Sequence, residues 1–287
     1  MSGRKYSKVW RVVAFLLLAN VLVWTLNFQI GQRAYGQLHF FDVGQGDAVY
    51  YRTARGNDVL IDGGPGDAVL SKLGSAMPFT DRTLELVILT HPHADHVAGL
   101  VEVLKRFSVK KVMLPDVPYE TATYQAFLDL LASKHIEVVR PAAGSRVYLD
   151  DETTLDIFYP VVAQFPSIPG DINDVSIVGR LSFGKMNALL TGDAGKDIEN
   201  LFIALGFPLE SEILKIGHHG SRHSTLEAFV KAVRPDYSVI SVGKNSYGHP
   251  HEEVLGTLKK FDTEVLRTDE REDVVFRLYP DRVVLSP

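Results

Sequence analysis

The sequence predicts an α/β domain preceded by one N-terminal transmembrane helix. From residue 37 onward, short apolar runs rich in β-branched residues alternate with segments of helix length, a pattern typical of α/β proteins. Glycine-containing turns directly follow several of these runs, as at Gly44, Gly63 and Gly192. A long apolar run stands near the N-terminus. Together these observations predict a membrane segment over residues 1–33 and one folded domain over residues 34–287.

The membrane helix is the first predicted element. Residues 12–26 are apolar except for Asn20 and Thr25, and an extension to residue 30 brings the run near the ~20 residues that cross a bilayer. Basic residues precede the run and only Arg33 follows it closely, which predicts a cytoplasmic start and an extracytoplasmic domain. The alternative is a cleaved secretory signal, although residues 26–31 offer no clean cleavage site. We therefore expect a single-pass protein of the cell membrane, with secretion after cleavage as the alternative.

Composition limits what the domain can be. Of the 287 residues, 46% are apolar and 23% are charged, so the chain can form an ordinary globular core. A net charge of −5 does not indicate general nucleic-acid binding, which needs clustered Lys and Arg. The chain has no cysteine, which excludes disulfides, thiolate ligands and a cysteine nucleophile. Any metal must therefore be held by His, Asp or Glu.

Within the domain, apolar runs predict thirteen strands and helical spacing predicts five helices. The helices are predicted at residues 96–107, 123–133, 196–205, 225–233 and 252–260. Three of the predicted strands, at residues 84–89, 187–191 and 212–216, run directly into polar clusters. These strand ends are the places where we expect chemistry.

The first of these clusters carries the strongest chemical signal. The letters HPHADH at residues 91–96 bring together His91, His93, Asp95 and His96. Buried His and Asp need partners that offset their desolvation, so the cluster indicates a bound cation rather than core packing or a solvated turn. The spacing allows His91 and His93 to face one metal while Asp95 and His96 face a second. Two metals about 3.5–4 Å apart can clamp the attacking and leaving oxygens of a hydrolysis.

Two further strand ends carry candidate ligands. The strand at residues 187–191 ends in Thr-Gly-Asp, and although such an acid is common in turns, the histidine cluster favours Asp193 as a ligand that bridges the two metals. The strand at residues 212–216 is followed by His218 and His219 between two glycines. One of the two histidines is expected to complete the second metal site. Which one stays open, because neighbouring side chains point in opposite directions on an extended chain.

These motifs resemble those of the metallo-β-lactamase superfamily, and in finer detail those of the C-terminal domain of ComEC-type DNA-uptake channel proteins. The resemblance covers about residues 37–279. It rests on seven motifs in order: FDVGQGDA at 41–48, LIDGG at 60–64, THPHADH at 90–96, NDVSIV at 173–178, LTGD at 190–193, KIGHHGS at 215–221 and SVGKNSYGHPH at 241–251. ComEC-type proteins carry many membrane spans and this chain only one predicted span, so the resemblance extends to the hydrolase domain and not to a channel.

The resemblance implies an αββα sandwich with metals at one edge of two sheets, and a hydrolytic site for phosphodiesters. It implies that the HPHADH residues bind as described above and that Asp193 binds both metals. Many superfamily members have a further histidine in the first metal site; here Asn173 or Asp174 occupies the equivalent place. An oxygen ligand makes Mn plausible beside Zn as the two divalent ions. Asp62 is expected to support the ligands from behind.

Other polar residues around these motifs are candidates for contacts with substrate. Asp95, His249 and Lys215 are predicted to be catalytic, with His249 or His251 contacting substrate or donating a proton to the leaving group. The candidates for binding substrate are Arg222, Lys244 and His251. Lys215, Arg222 and Lys244 are candidates for holding substrate phosphate, though each can also be an ordinary surface cation. Gln45 and Asp47 are expected near the site, with no assigned role.

Three functions compete. The first is a membrane-anchored phosphodiesterase or nuclease acting on DNA. The second is a hydrolase of another ester class, such as a lactone, a thioester or a cell-wall choline phosphoester, because the fold does not fix the substrate. The third is a non-catalytic component of a DNA-uptake or envelope complex, which the complete set of candidate ligands argues against. The predicted partners are accordingly the membrane, DNA, and proteins of DNA uptake or of the envelope.

Overall fold

Two β-sheets pack face to face in the computed structural model, which describes residues 3–31, 34–161 and 170–287. The first sheet has eight strands in the order β15-β14-β1-β2-β3-β4-β5-β6. Its strands are β1 (Gly36–Phe40), β2 (Val49–Arg52), β3 (Asp58–Ile61), β4 (Thr83–Ile88), β5 (Ser108–Met113), β6 (Glu137–Val139), β14 (Val274–Leu278) and β15 (Val283–Leu285). Side chains from both sheets meet between them and form the central core.

The second sheet has seven strands in the order β13-β12-β11-β10-β9-β8-β7. Its strands are β7 (Arg146–Tyr148), β8 (Thr153–Tyr159), β9 (Val178–Phe183), β10 (Met186–Leu190), β11 (Ile213–Lys215), β12 (Tyr237–Ile240) and β13 (Glu264–Arg267). Strands β10 to β13 run parallel to one another, as β3 to β6 do in the first sheet.

Helices cover the outer face of each sheet. One apolar cluster joins the first sheet to α2 (Ala68–Ala76), α3 (Ala94–Arg106) and α4 (Ala122–Ser133). Another joins the second sheet to α5 (Lys196–Leu205), α6 (Glu227–Val233) and α7 (Glu252–Lys260). The remaining described α-helices are α1 (Gly3–Gly31) and the single turn α8 (Thr268–Arg271), and short 3₁₀ helices lie at Ile172–Val175 and Gly217–Gly220. The layers therefore follow the predicted αββα order.

Helix α3 shows how the sequence positions the histidine cluster. Val97, Leu100 and Leu104 are fully buried, at the spacing of an amphipathic helix. Gly99 lets the helix approach the turn after β3, since a Cβ there would lie 1.8 Å from the carbonyl oxygen of Gly63. Two backbone hydrogen bonds of 2.8 and 2.9 Å join the helix to the same turn. The ends of β3 and β4 and the start of α3 therefore form one rigid unit.

Each of the thirteen predicted strands overlaps an observed strand, and each of the five predicted helices overlaps an observed helix. The prediction missed the short edge strands β6 and β15 and the helices α2 and α8. It also treated His218 and His219 as extended, whereas both have left-handed backbone angles, with φ of 48° and 52°. The predicted boundary near residue 33 falls outside the described residues.

The predicted transmembrane helix is wrong. Helix α1 has 29 residues, but no helix in the described part of the chain is both long and apolar enough to cross a membrane. Polar residues interrupt the apolar run on which the prediction relied; Asn20, for example, donates a hydrogen bond to the carbonyl of Leu16 at 2.9 Å. The predicted single-pass membrane location, which depended on this helix, is therefore contradicted as well.

Candidate metal centre

The candidate ligands meet where the carboxyl ends of parallel strands from both sheets come together. Strand β4 leads to the HPHADH segment, β10 leads to Asp193, and β11 leads to His219. His91, His96, Asp193 and His219 are all buried, with exposed fractions of 0–1%. Because each of these residues follows a strand of the central sheets, the sheets fix their relative positions.

His91 and His93 bring together two ring nitrogens that could bind one cation. Nε2 of His91 lies 3.1 Å from Nδ1 of His93. Asp193 is the nearest carboxylate, with its Oδ2 4.0 Å from Nε2 of His91. On the far side of the ring, Nδ1 of His91 lies 3.2 Å from the Thr90 hydroxyl and 3.4 Å from the Ser176 hydroxyl. These contacts orient Nε2 toward Asp193.

Asp95, His96 and His219 form a second group on the other side of Asp193. Nε2 of His219 lies 3.3 Å from Oδ2 of Asp95 and 3.3 Å from Oδ2 of Asp193. Nε2 of His96 lies 3.4 Å from the same Asp193 oxygen. Oδ2 of Asp193 thus lies between the two groups, which is the position of a bridging ligand.

His219 rather than His218 enters this group. Two successive left-handed residues turn the chain so that Nδ1 of His219 lies 2.9 Å from the carbonyl oxygen of Ser241, a hydrogen bond that directs Nε2 inward. Neither His218 nor His93 belongs to a cluster of candidate ligand atoms among the described residues, but Nδ1 of His93 lies 3.1 Å from Nε2 of His91. His218 lines the cleft beside the centre instead.

Asp62 lies behind the second group, on the Nδ1 side of His96. Its Oδ2 is 2.8 Å from Nδ1 of His96, and its two oxygens also accept hydrogen bonds from the backbone N–H and the hydroxyl of Thr90, at 2.8 and 2.6 Å. An imidazole that donates Nδ1–H to a carboxylate presents the lone pair of Nε2 on its other side. Asp62 therefore aims His96 at the centre.

The charges of the centre balance through its histidines. Burial by itself lowers the pKa of His219, but the carboxylates of Asp193, Asp95 and Asp47 outweigh burial and raise the pKa to about 10. The pKa of His96 is raised for the same reason: burial lowers the pKa, but Asp193 and Asp62 raise it by more than burial lowers it. Protons on these imidazoles thus compensate a buried cluster of carboxylates, a task that a divalent cation performs when it displaces them.

The donor set fits a pair of divalent cations. The groups His91, His96, Asp193 and Asp95, His96, His219 each place their ligand atoms within 4.8 Å of one another. Nε2 of His96, Nε2 of His219 and Oδ1 of Asp193 are buried and have no hydrogen-bond partner among the described residues. Buried polar atoms without partners are rare in proteins, and here the two imidazole nitrogens lie 3.4 and 3.3 Å from Oδ2 of Asp193. Imidazole and carboxylate ligands suit both Zn and Mn.

The placement of Lys215 argues against the predicted contact with substrate. Its side chain is 1% exposed, and Nζ donates hydrogen bonds to the carbonyls of Gly192 at 2.9 Å and Ile216 at 3.0 Å. Its third neighbour is Oδ2 of Asp47, at 2.7 Å. All three N–H bonds of the ammonium group therefore have neighbours inside the protein, on the side of the centre away from solvent.

A cleft of about 390 Å³ opens onto the centre. It is lined by Gln45, His93, Ala94, Asp95, Tyr119, Asp193, His218, His219, Tyr247 and His249. The predicted substrate contacts Arg222, Lys244 and His251 are not among them. The guanidinium of Arg222 instead donates to Nε2 of His251 at 3.0–3.3 Å.

His249, like Asp95, is a predicted catalytic residue that lines the cleft. Its Nδ1 is buried and has no hydrogen-bond partner among the described residues. Burial, together with the neighbouring His218 and His219, lowers its pKa to about 4. The ring is therefore neutral at pH 7. It can donate an N–H hydrogen bond to a bound oxygen, but an imidazolium proton donor is not available at that pH.

Asn173 and Asp174 lie in a second cavity, of about 340 Å³, that shares Asp193 and His218 with the cleft. Asn173 is 5% exposed and its Oδ1 has no hydrogen-bond partner in the described part of the chain. Asp174 is more open, and burial and the charge of Asp171 raise its pKa. Asp174 is in no cluster of His, Asp and Glu ligand atoms among the described residues.

The sequence analysis missed several residues that orient the centre. Ser176 accepts a hydrogen bond from the backbone N–H of Asp193 at 3.1 Å, and the carbonyl of Ser241 orients His219. Tyr119 packs against His93, with ring centroids 6.1 Å apart. Ser176 stands in the quoted NDVSIV motif, which was the available signal. A backbone carbonyl leaves no mark in a sequence.

Comparison with known proteins identifies the class. The profile of the metallo-β-lactamase superfamily matches residues 41–244, so the chain belongs to this superfamily, whose members are generally metal-dependent hydrolases. ComE operon protein 3 of Bacillus subtilis is 30% identical over 267 residues, which cover 86% of this chain and 34% of the relative. Recombination protein 2 of Haemophilus influenzae is 27% identical over 257 residues, covering 87% of this chain and 30% of the relative. The chain is thus related to ComEC-type competence proteins and spans about a third of their length.

A solved structure supports the fold. Igni18, a metallo hydrolase from Ignicoccus hospitalis, superimposes with a TM-score of 0.56 at 15% identity, covering 84% of this chain and 98% of Igni18. Both the sequence and the architecture therefore confirm the predicted family and the predicted sandwich.

Proposed function

We propose that this protein is a phosphodiesterase or nuclease that depends on two divalent metal ions. The observation that carries the proposal is the position of Asp193, whose Oδ2 lies 4.0 Å from Nε2 of His91, 3.4 Å from Nε2 of His96 and 3.3 Å from Nε2 of His219. One carboxylate oxygen between two sets of inward-facing imidazoles is the arrangement that a pair of bridged cations requires.

We assign His91 and His93 to the first ion, Asp95, His96 and His219 to the second, and Asp193 to both. The first set has fewer protein ligands. Because Oδ1 of Asn173 is buried without a partner and lines a cavity shared with Asp193, it is the better candidate of the 173–174 pair to complete the first set. Asp62 then serves to orient His96.

When bound, two such ions supply Lewis acidity and an activated water for hydrolysis. The chain itself contributes orientation and a boundary to the cleft. His249 is positioned to donate an N–H hydrogen bond to a substrate oxygen, and Tyr119 and Tyr247 provide aromatic surfaces at the cleft. Tyr247 is 69% exposed, which leaves its ring open to a ligand.

The relatives favour a nucleic-acid substrate. Recombination protein 2 is named for a process that acts on DNA, both relatives are ComEC-type competence proteins, and the backbone of DNA is a chain of phosphodiesters. The alternatives are another ester class on the same fold, such as a lactone, a thioester or a choline phosphoester, and a non-catalytic role in a DNA-uptake or envelope complex. DNA and the proteins of DNA uptake or of the envelope stay predicted partners.

The test is hydrolysis by the full chain, purified without chelator and supplied with Mn or Zn. The substrates are bis-p-nitrophenyl phosphate and end-labelled single- and double-stranded DNA. Asp95→Ala removes a candidate ligand, and Asp151→Ala is the matched control, because Asp151 is an exposed residue whose side chain is 74% accessible. We expect the wild type and Asp151→Ala to cleave, and Asp95→Ala to lose at least about 100-fold in kcat/KM, or about 2.7 kcal/mol of transition-state stabilisation.

Absence of phosphodiester cleavage in a wild-type protein that binds two ions would overturn the substrate assignment. Turnover of a lactone, thioester or choline phosphoester would then identify the second candidate. If no ester is cleaved by the metal-loaded protein, the non-catalytic role is favoured.

A further inference from the structure

Lys215 and Asp47 form an ion pair that no step of the hydrolysis uses. Each residue is 1% exposed, and Nζ of Lys215 lies 2.7 Å from Oδ2 of Asp47. Lysine is almost never fully buried unless it is paired, because the ammonium group loses its hydration. Such a costly pair beside the metal centre calls for a physical explanation.

The other contacts of Lys215 are with backbone carbonyls close in sequence to Asp193 and His219. Nζ donates to the carbonyl of Gly192, the residue before Asp193, and to the carbonyl of Ile216, which begins the turn to His219. One ammonium group therefore joins the ends of β10 and β11. If Lys215 is replaced, these two carbonyls, which lie beyond the last paired residues of β10 and β11, lose this donor.

Asp47 faces the same group from behind. Its Oδ1 lies 3.5 Å from Nδ1 of His219, and its Oδ2 lies 3.9 Å from Nδ1 of His96. Its backbone N–H donates to the carbonyl of Asp95 at 3.2 Å. Asp47 is thus in contact with all three residues that we assign to the second ion alone.

We propose that Lys215 and Asp47 are positioning residues for the second metal ion. Lys215 holds together the two strand ends that carry Asp193 and His219, while Asp47 fixes the turn against Asp95 and places negative charge behind both imidazoles. The inference rests on the metal assignment proposed above. It also replaces the predicted contact of Lys215 with substrate.

The charges explain why the two residues act together. Asp47 alone would add one more carboxylate to a group that already contains Asp62, Asp95 and Asp193. Lys215 alone would place a cation close to the positions of the metal ions and repel them. As a pair they have no net charge, so they can order the strand ends with little change in the total charge of the centre.

The experiment measures stepwise binding of Mn to the full chain by competition with a chelator, together with unfolding in urea. Lys215→Met leaves the Asp47 carboxylate buried and uncompensated, so this variant is expected to be strongly destabilised. The double variant Lys215→Met with Asp47→Asn removes both charges. Lys231→Met is the matched control, because Lys231 is exposed and lies away from the cleft.

We expect the double variant to regain most of the lost stability yet bind the second ion about 10–100-fold more weakly than the wild type, with the first ion little affected. A purely structural ion pair predicts the opposite: metal binding would recover with stability. Wild-type affinity for both ions in the folded double variant would overturn the proposal.

Asp47→Asn alone keeps the proposal testable if the double variant does not fold. Asparagine retains an oxygen that can accept from Lys215 but removes the charge facing His96 and His219. We expect about tenfold weaker binding of the second ion, and unchanged affinity would refute the role of Asp47. A wild-type protein that binds fewer than two ions would instead refute the metal assignment, so the two failures are distinguishable.

Discussion

The adjacent residues His218 and His219 allow a sharp test of the site, because only one of them is expected to hold metal. Both have left-handed backbone angles, with φ of 48° and 52°. Replacement of either residue by alanine leaves a Cβ in nearly the same strained conformation, so the cost to the backbone is matched. His219→Ala and His218→Ala therefore differ mainly in which imidazole they remove.

The size of the effect follows from the contacts. Nε2 of His219 lies 3.3 Å from oxygens of both Asp95 and Asp193, whereas His218 has no place in a ligand cluster among the described residues. Residues that only orient a ligand usually contribute about 10–100-fold to metal affinity. Loss of a ligand itself is expected to cost at least about 100-fold, or about 2.7 kcal/mol. His218→Ala is expected to change affinity less than about threefold, or about 0.6 kcal/mol.

The assay is metal stoichiometry after dialysis against a fixed concentration of free Mn, combined with competition titration. The expected result is two ions for the wild type and for His218→Ala, and one tightly bound ion for His219→Ala. If His218→Ala loses an ion while His219→Ala keeps both, the assignment of the second site is refuted.

Three further predictions follow from other parts of the structure. Asp62→Ala removes the carboxylate that orients His96 and is expected to weaken metal binding about 10–100-fold; unchanged affinity in a competition titration would contradict this role. Gly99→Ala places a Cβ 1.8 Å from a carbonyl oxygen, so it is expected to lower the free energy of unfolding by more than about 2 kcal/mol. Gly74→Ala, in open space on α2, is the control and should raise the free energy of unfolding by about 0.8–1 kcal/mol. Urea unfolding measures both. Metal binding at pH 7 should release protons, because the pKa of His219 is raised to about 10 and the pKa of His96 is also raised. Metal affinity should therefore increase as pH rises toward 10. Calorimetry in buffers of different ionisation enthalpy counts the released protons, and a count of zero would be inconsistent with the site.

The sequence was sufficient for the elements that bury a continuous apolar face. Strand β8 has buried residues at alternate positions along most of its length, and helix α3 has an amphipathic stripe, so periodicity identifies both. Strands β6 and β15 have three residues each, lie at the edges of the first sheet and contain no fully buried residue. Their pairing depends on the neighbouring strand rather than on their own pattern, so the sequence gives little signal for them.

The site was predictable where ligands follow strands directly. His91 and Asp193 stand just beyond buried strands, and parallel strands bring their carboxyl ends to one edge. The choice between His218 and His219 depends on two left-handed residues, which local sequence does not specify. Lys215 was misread because a lysine in a motif suggests contact with phosphate, whereas its burial becomes visible only once β10, β11 and the turn at Asp47 are brought together.

The N-terminal helix illustrates a limit of hydropathy arguments. The basic start and the apolar run correctly predict a helix, since α1 covers Gly3–Gly31. Membrane spanning requires a longer uninterrupted apolar stretch than helix formation does, and Asn20 lies in the middle of the run. The prediction of a membrane span therefore relied on the flanking charges more than the apolar run justified.

The most direct test of the two-metal centre is anomalous X-ray scattering from crystals of the full chain grown with Mn. The account predicts two peaks that both adjoin Asp193, one beside Nε2 of His91 and Nδ1 of His93, the other beside Nε2 of His96 and Nε2 of His219. A single peak, or peaks that do not contact Asp193, would contradict the central claim.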